Sequence, residues 1–139
     1  MKKQIILLSL FALVQTKSIA GVPDAVKKAF EAMFPDVKKA HWEKEKTGNY
    51  EAEFTREGRE ISAVFDQDGK WKETETQILP ETLPEPVKRA IERKYTNVKI
   101  KECFRLQKPG GAILYEAEIK ADGKKREVIL DENGTIQSQ

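Results

Sequence analysis

From Val22 onward the chain is written twice. Val22-Pro23-Asp24-Ala25-Val26-Lys27-Lys28-Ala29-Phe30 returns 61 residues later as Leu83-Pro84-Glu85-Pro86-Val87-Lys88-Arg89-Ala90-Ile91. Tyr50-Glu51-Ala52-Glu53-Phe54 returns 65 residues later as Tyr115-Glu116-Ala117-Glu118-Ile119, the four extra residues falling around Pro109-Gly110-Gly111. Gly58 matches Gly123, Asp66 matches Asp131 and Gly69 matches Gly134. A shared apolar period would not align turn glycines beyond an insertion, whereas one supersecondary unit used twice does. The expected organisation is therefore a first unit over 21–78 and a second over 79–139, forming one structural body.

Each unit opens with a helix. Val26, Ala29, Phe30, Met33, Phe34 and Val37 recur at three- and four-residue intervals, as do Val87, Ala90, Ile91, Tyr95 and Val98, which puts each set on one helical face. Pro23 suits a first turn, and Pro35 stops the first helix near Phe34. The period then changes to two: Tyr50, Ala52 and Phe54 alternate with Glu51, Glu53 and Thr55, and Tyr115, Ala117 and Ile119 alternate with Glu116, Glu118 and Lys120. That is a strand with one dry face and one wet face. Glu57-Gly58, Asp68-Gly69, Asp122-Gly123 and Asn133-Gly134 separate apolar runs where positive φ is needed for tight hairpins. The expected fold is α+β, two tandem units of a helix plus a four-stranded antiparallel sheet. The strands are expected at 38–46, 49–56, 60–66 and 70–77, then 98–107, 112–121, 124–130 and 135–138. One apolar stripe per helix and one dry face per strand place both helices on one side of the sheet. Residues 73–82 are expected to link the units.

Residues 1–20 combine Lys2-Lys3, the apolar run Ile5 to Val14 and a Ser18-Ile19-Ala20 ending, the pattern of a secretory signal peptide cut near Ala20. The run is about half the roughly 20 residues that cross a bilayer, so no stable membrane insertion is expected. Lys2, Lys3 and Lys17 leave with this segment, so 25 bases become 22 against 23 acids. A near-neutral mature chain of interspersed charge lacks the footprint of a nucleic-acid binder. The remaining length can bury roughly two-thirds of its unfolded surface in one domain. Cys103 is the sole cysteine, which excludes an intramolecular disulfide in an oxidising compartment. It aligns with Trp42 and reads as a packing position.

No catalytic constellation emerges. His41 is the one histidine and has no nucleophile motif to serve, so it reads as an ordinary strand residue. Asp66-Gln67-Asp68-Gly69 and Asp131-Glu132-Asn133-Gly134 lack the remaining ligands, spacing and flanking helices of an EF-hand, and aspartate there favours the turn itself. Glu51 with Glu53, and Glu116 with Glu118, are about 7 Å apart along their strands. They are expected to be solvated, without the burial that raises a catalytic acid's pKa. No metal and no cofactor is expected.

A helix followed by a four-stranded meander, duplicated, with Tyr50-Glu51-Ala52-Glu53-Phe54, Val64-Phe65-Asp66-Gln67-Asp68-Gly69, Tyr115-Glu116-Ala117-Glu118-Ile119 and Ile129-Leu130-Asp131-Glu132-Asn133-Gly134, resembles the PepSY-like family, itself similar to beta-lactamase-inhibitor protein. The resemblance spans nearly all of the mature chain. It implies a non-enzymatic, periplasmic or secreted protein that binds a protein or peptide, with peptidase regulation a recurring theme. The single cysteine departs from the disulfide-bearing beta-lactamase inhibitors. Candidate contact groups are Trp42, Trp71, Phe104, Pro109, Ile113 and Leu114, as aromatic anchors or as parts of the inserted 107–114 hairpin. The open sheet face and this hairpin form the expected binding surface. The alternatives are a small-ligand sensor or carrier with an apolar groove between the units, and, last, a hydrolase built on His41 or the paired glutamates.

Overall fold

Each helix begins immediately after a proline whose carbonyl starts the hydrogen-bond ladder. Pro23 O accepts from Val26 and Lys27 N–H at 3.0 and 3.1 Å, and Pro84 O accepts from Val87 and Lys88 N–H at the same two distances. Asp24 and Glu85 occupy the first turns, where negative charge suits the exposed amides. The computed structural model describes residues 21–138, so the expected signal peptide lies outside the described residues. Helix α1 is Asp24–Met33 and α2 is Glu85–Lys94; the strands are β1 His41–Lys44, β2 Tyr50–Arg56, β3 Arg59–Phe65, β4 Trp71–Ile78, β5 Val98–Gln107, β6 Ile113–Ala121, β7 Lys124–Asp131 and β8 Ile136–Ser138.

The architecture is α+β, with all eight strands in one antiparallel sheet ordered β1 to β8 as in the chain. Two-residue turns join β2 to β3 and β6 to β7. Glu57-Gly58 and Asp122-Gly123 all have positive φ there, the conformation that matches the right-handed twist of a hairpin. Strand β1 starts at His41 rather than at residue 38. Pro35-Asp36 turns the chain first, and Val37 N–H donates to Phe34 O. The strand expected at 70–77 is β4, which pairs directly with β5 from Thr74↔Gln107 to Ile78↔Cys103, so the link read at 73–82 reduces to the residues after Ile78. Only a 3-10 turn at Pro80–Thr82 separates β4 from the approach to α2.

The register puts both helices on one side. Val26 and Phe30 of α1 pack with Ala52, Phe54, Ala63 and Phe65, and Val87 and Ile91 of α2 pack with Cys103, Ala117, Ile119, Val128 and Leu130. Cys103 lies opposite Ile78 across the central strand pair, and Ile78 joins the second cluster, so the dry face runs unbroken through the sheet. Burying each large side chain contributes about 1.5–3 kcal/mol.

Two glycines fix the helices to the sheet. A Cβ on Gly69 would stand 2.5 Å from Ala25 O, and one on Gly134 would stand 2.4 Å from Pro86 O. Both glycines also have φ of 83°, so they are required twice over, by conformation and by close approach. The aspartates before them hold the same turns. Asp66 Oδ1 accepts from Asp68 and Lys70 N–H at 3.0 Å, and Asp131 Oδ1 accepts from Asn133 and Thr135 N–H at 2.9 Å.

Candidate functional site

The side of the sheet that carries neither α1 nor α2 among the described residues, called the helix-free face, is the candidate site, and it is not fully wet. Phe104, Leu106, Glu116 and Ile129 are buried there, opposite one another along Leu106↔Leu114, Phe104↔Glu116 and Glu116↔Ile129. Burial on a face without a helical layer requires the sheet to curl toward it. Register shifts at Val64/Phe65, Ile100/Glu102 and Ile129/Leu130 supply bends of this kind.

Glutamates dominate this face. Glu43 opposes Glu51, Glu51 opposes Val64, Val64 opposes Glu73, and Glu75 lies between Ser62 and Leu106. Glu75 is pushed up to about 8, first by burial and then by Glu116, Glu73, Glu51 and Glu127. Glu51 is pushed up to about 7 by burial, opposed by a hydrogen bond from Ser62 and reinforced by Glu53, Glu45 and Glu43. Burial also raises Glu53, with Glu43 adding to the effect, and Glu127, with Glu118 adding to it. Lys108, from the inserted hairpin, sets its ammonium on the Glu73 carboxylate.

The expectation that Glu51 and Glu116 are solvated is therefore corrected. Glu116 is 0% exposed, and Glu51 is half-buried. Glu73 and Glu75 fall within the strand expected at 70–77 but were not among the candidate residues. Their signal was the alternation Glu73-Thr74-Glu75-Thr76, the period of a strand with two unlike faces.

The other candidate residues divide between the two sides. Trp42 and Trp71 pack on the helix-side core of the first half. Trp42 meets Phe30 edge-on at 5.2 Å, and Trp71 Nε1–H donates to Thr74 Oγ1 at 2.9 Å. Ile113 packs on the helix-side core of the second half. Phe104 and the half-buried Leu114 lie on the helix-free face, and exposed Pro109 begins the 3-10 turn at the hairpin tip.

Cys103 is fully buried in the helix-side core. Burial, then Glu102 and Glu81, push its thiol up to about 12, so it stays protonated and unreactive. His41 Nε2 lies 3.4 Å from Glu43 Oε1 at the sheet edge. Among the described residues, no group of three or more His, Cys, Asp or Glu is placed to hold a metal ion, and no helix is long and apolar enough to cross a membrane. A cleft of about 620 Å³ at the far end of β5–β7 is lined mainly by charged side chains, among them Lys101, Glu102, Glu118, Lys125 and Glu127. It lies within the second half rather than between the halves, and it is not the apolar groove expected of a ligand carrier.

Solved structures from Bacteroides share this fold. The chain is similar to a protein of Bacteroides eggerthii described as periplasmic, with a TM-score of 0.77, 20% identity, and 86% of this chain and 88% of that one covered. A DUF2874 family protein of Bacteroides ovatus gives a TM-score of 0.76 at 20% identity, covering 86% of each chain. A BLIP-like protein of Bacteroides fragilis gives 0.71 at 25% identity, again over 86% of each chain. No curated protein matches. The profile of a family described as beta-lactamase-inhibitor-like, PepSY-like matches residues 15–61 and 48–138. With nearly the whole chain matched to that non-enzymatic kind of protein, in sequence and in the helix-and-meander fold, this chain belongs to the beta-lactamase-inhibitor-like, PepSY-like family.

Proposed function

We propose that the chain is an exported, non-enzymatic binding module, two tandem PepSY-like units at 21–78 and 79–139, that holds a protein or extended peptide on its helix-free sheet face. The observation that carries this reading is a single face, free of helices, on which apolar and charged side chains alternate across both halves. Interfaces bind through a few anchors inside a polar rim. Here Phe104 and Leu106 form the floor, Leu114 a half-buried anchor, and Pro109 the rim of the hairpin beside them. Trp42, Trp71 and Ile113 support that face from the opposite side rather than touch a partner. Relatives described as periplasmic and the leader over 1–20 support export with processing near Ala20, and a regulated peptidase is one such partner.

The test is capture from the cell-envelope extract with residues 21–138. A specific protein should be retained by the parent and lost both when 109–112 is shortened and when Leu114 becomes Glu. A partner that protects only the helical side from hydrogen exchange would falsify the assignment of the face. The small-ligand alternative predicts instead a metabolite or lipid in native mass spectra of the purified protein, unaffected by either change.

A further inference from the structure

Carboxylates are concentrated on the helix-free face. The helix-free face carries Glu51 and Glu53 on β2, Glu73 and Glu75 on β4, and Glu116 and Glu118 on β6. The helices carry mixed charge: Lys27 and Lys28 balance Asp24 and Glu31 on α1, while Lys88, Arg89, Arg93 and Lys94 outnumber Glu85 and Glu92 on α2. Lysines do share the carboxylate face at its far corner, around the Ile100/Glu102 bulge, where Lys99, Lys101, Lys120 and Lys125 lie. In the centre, the only cation that the described contacts bring in is Lys108, arriving from the hairpin inserted in the second half.

We infer that the helix-free face takes an extended, lysine- or arginine-rich segment of a partner protein, its cations lying on the accessible glutamates and its apolar side chains against half-buried Leu114, with Phe104 and Leu106 buried beneath. This rests on the proposed function and specifies the chemistry of its partner. Like charges crowded on a curled sheet repel one another, and a bound cation relieves that repulsion. Lys108 on Glu73 shows within this chain the contact that the partner repeats. The alternation of carboxylate rows and apolar positions suits a strand-like ligand, whose side chains also alternate. Binding must compete with protonation. Facing Glu75 are Glu73 on its own strand, Glu51 on β2, Glu116 on β6, Glu127 on β7, and Lys108 beside Glu73. The raised Glu75 and Glu51 hold protons near neutrality, so a cation that binds their charged forms expels protons and binds more tightly as pH rises from 6 to 8.

The experiment uses the chain from residue 21 and three blocked octapeptides in which valine alternates with lysine, glutamate or threonine, followed by calorimetry and amide shifts. The lysine peptide should shift β2 to β7. Its affinity should fall about fivefold in the double variant Glu53→Gln, Glu118→Gln and weaken with added salt. It should not change in the double variant Glu85→Gln, Glu92→Gln, which removes two exposed charges from α2. These rim changes avoid the buried carboxylates, so loss of binding is separable from loss of folding. Equal shifts on the face from the threonine or glutamate peptide would keep the face as a binding surface and overturn its cationic ligand. No shift from the lysine peptide at millimolar concentration also overturns it. If a natural partner protects only the helical side, the underlying reading fails instead.

Discussion

The first half of the molecule is filled with rings and the second with branched aliphatics, under one backbone plan. Phe30 meets Phe54, Phe65 and Trp42 edge-on at 5.4, 6.4 and 5.2 Å, while Ile91 and Val87 sit among Ile119, Val128 and Leu130. Trp42 and Cys103, which occupy aligned positions, each lie opposite an alanine, Ala52 and Ala117. Between the halves the filler changes and the attachment does not. Gly69 and Gly134 press on the first turns of their helices to within a tenth of an ångström of the same distance. A core tolerates volume-conserving exchange, but a backbone approach closer than any Cβ permits has one solution.

Cutting the filler should give the largest loss. Phe30→Ala should cost about 4 kcal/mol and Ile91→Ala about 3 kcal/mol in urea unfolding, and loss of one half alone would show as a second transition. Gly69→Ala and Gly134→Ala should each cost about 3 kcal/mol, from backbone strain plus collision with a carbonyl. Equal losses would establish the two attachments as equivalent, and a difference above about 1 kcal/mol would break the parallel.

A smaller effect should separate the halves electrostatically. Glu75 and Glu51 have folded pKa values near 8 and 7, above the ordinary 4.5. The folded state then holds more protons than the unfolded state between about pH 4.5 and 8, so stability falls as pH rises through that window. Glu75→Gln should remove part of the fall, on the order of 2 kcal/mol, in melts at pH 5 and 8.5. A fall that persists unchanged would place the strain elsewhere. The least effect is expected from Asp36→Asn. It breaks the exposed pair with Arg56 at 2.8 Å and should lower stability by no more than about 0.5 kcal/mol.

Most of the scaffold was legible because its determinants are local. Helical stripes, period-two strands and Glu-Gly or Asp-Gly turns each lie within ten residues of one another, and the structure has them at or near the expected places. The continuity of the sheet was less so. The strand expected at 70–77 is β4, but its pairing with β5, which joins the two halves in one sheet, depends on a partner some 30 residues away. The state of the glutamates was illegible for the same reason. Glu51 and Glu116 occupy matched positions, yet one is half-buried and the other closed off, because sheet curvature sums over many residues. Trp71 was ambiguous from sequence, since it pairs with Phe65 beside the Val64/Phe65 register shift, which decides the side it faces.

Every strand in the sheet touches only its predecessor and its successor in the chain. Such an order needs no late closure between distant segments. The longest step between paired neighbours is the one spanned by α2, from Ile78 to Val98. A chain of this kind can add one strand at a time to a growing edge, so its loop-closure entropy is lost in small instalments and its contact order stays low for a protein so rich in strands. With Cys103 its sole cysteine, it has no intramolecular disulfide pairing to wait for. Refolding from urea should therefore be fast, and free of the slow phase that mispaired bridges impose on other small β-rich chains.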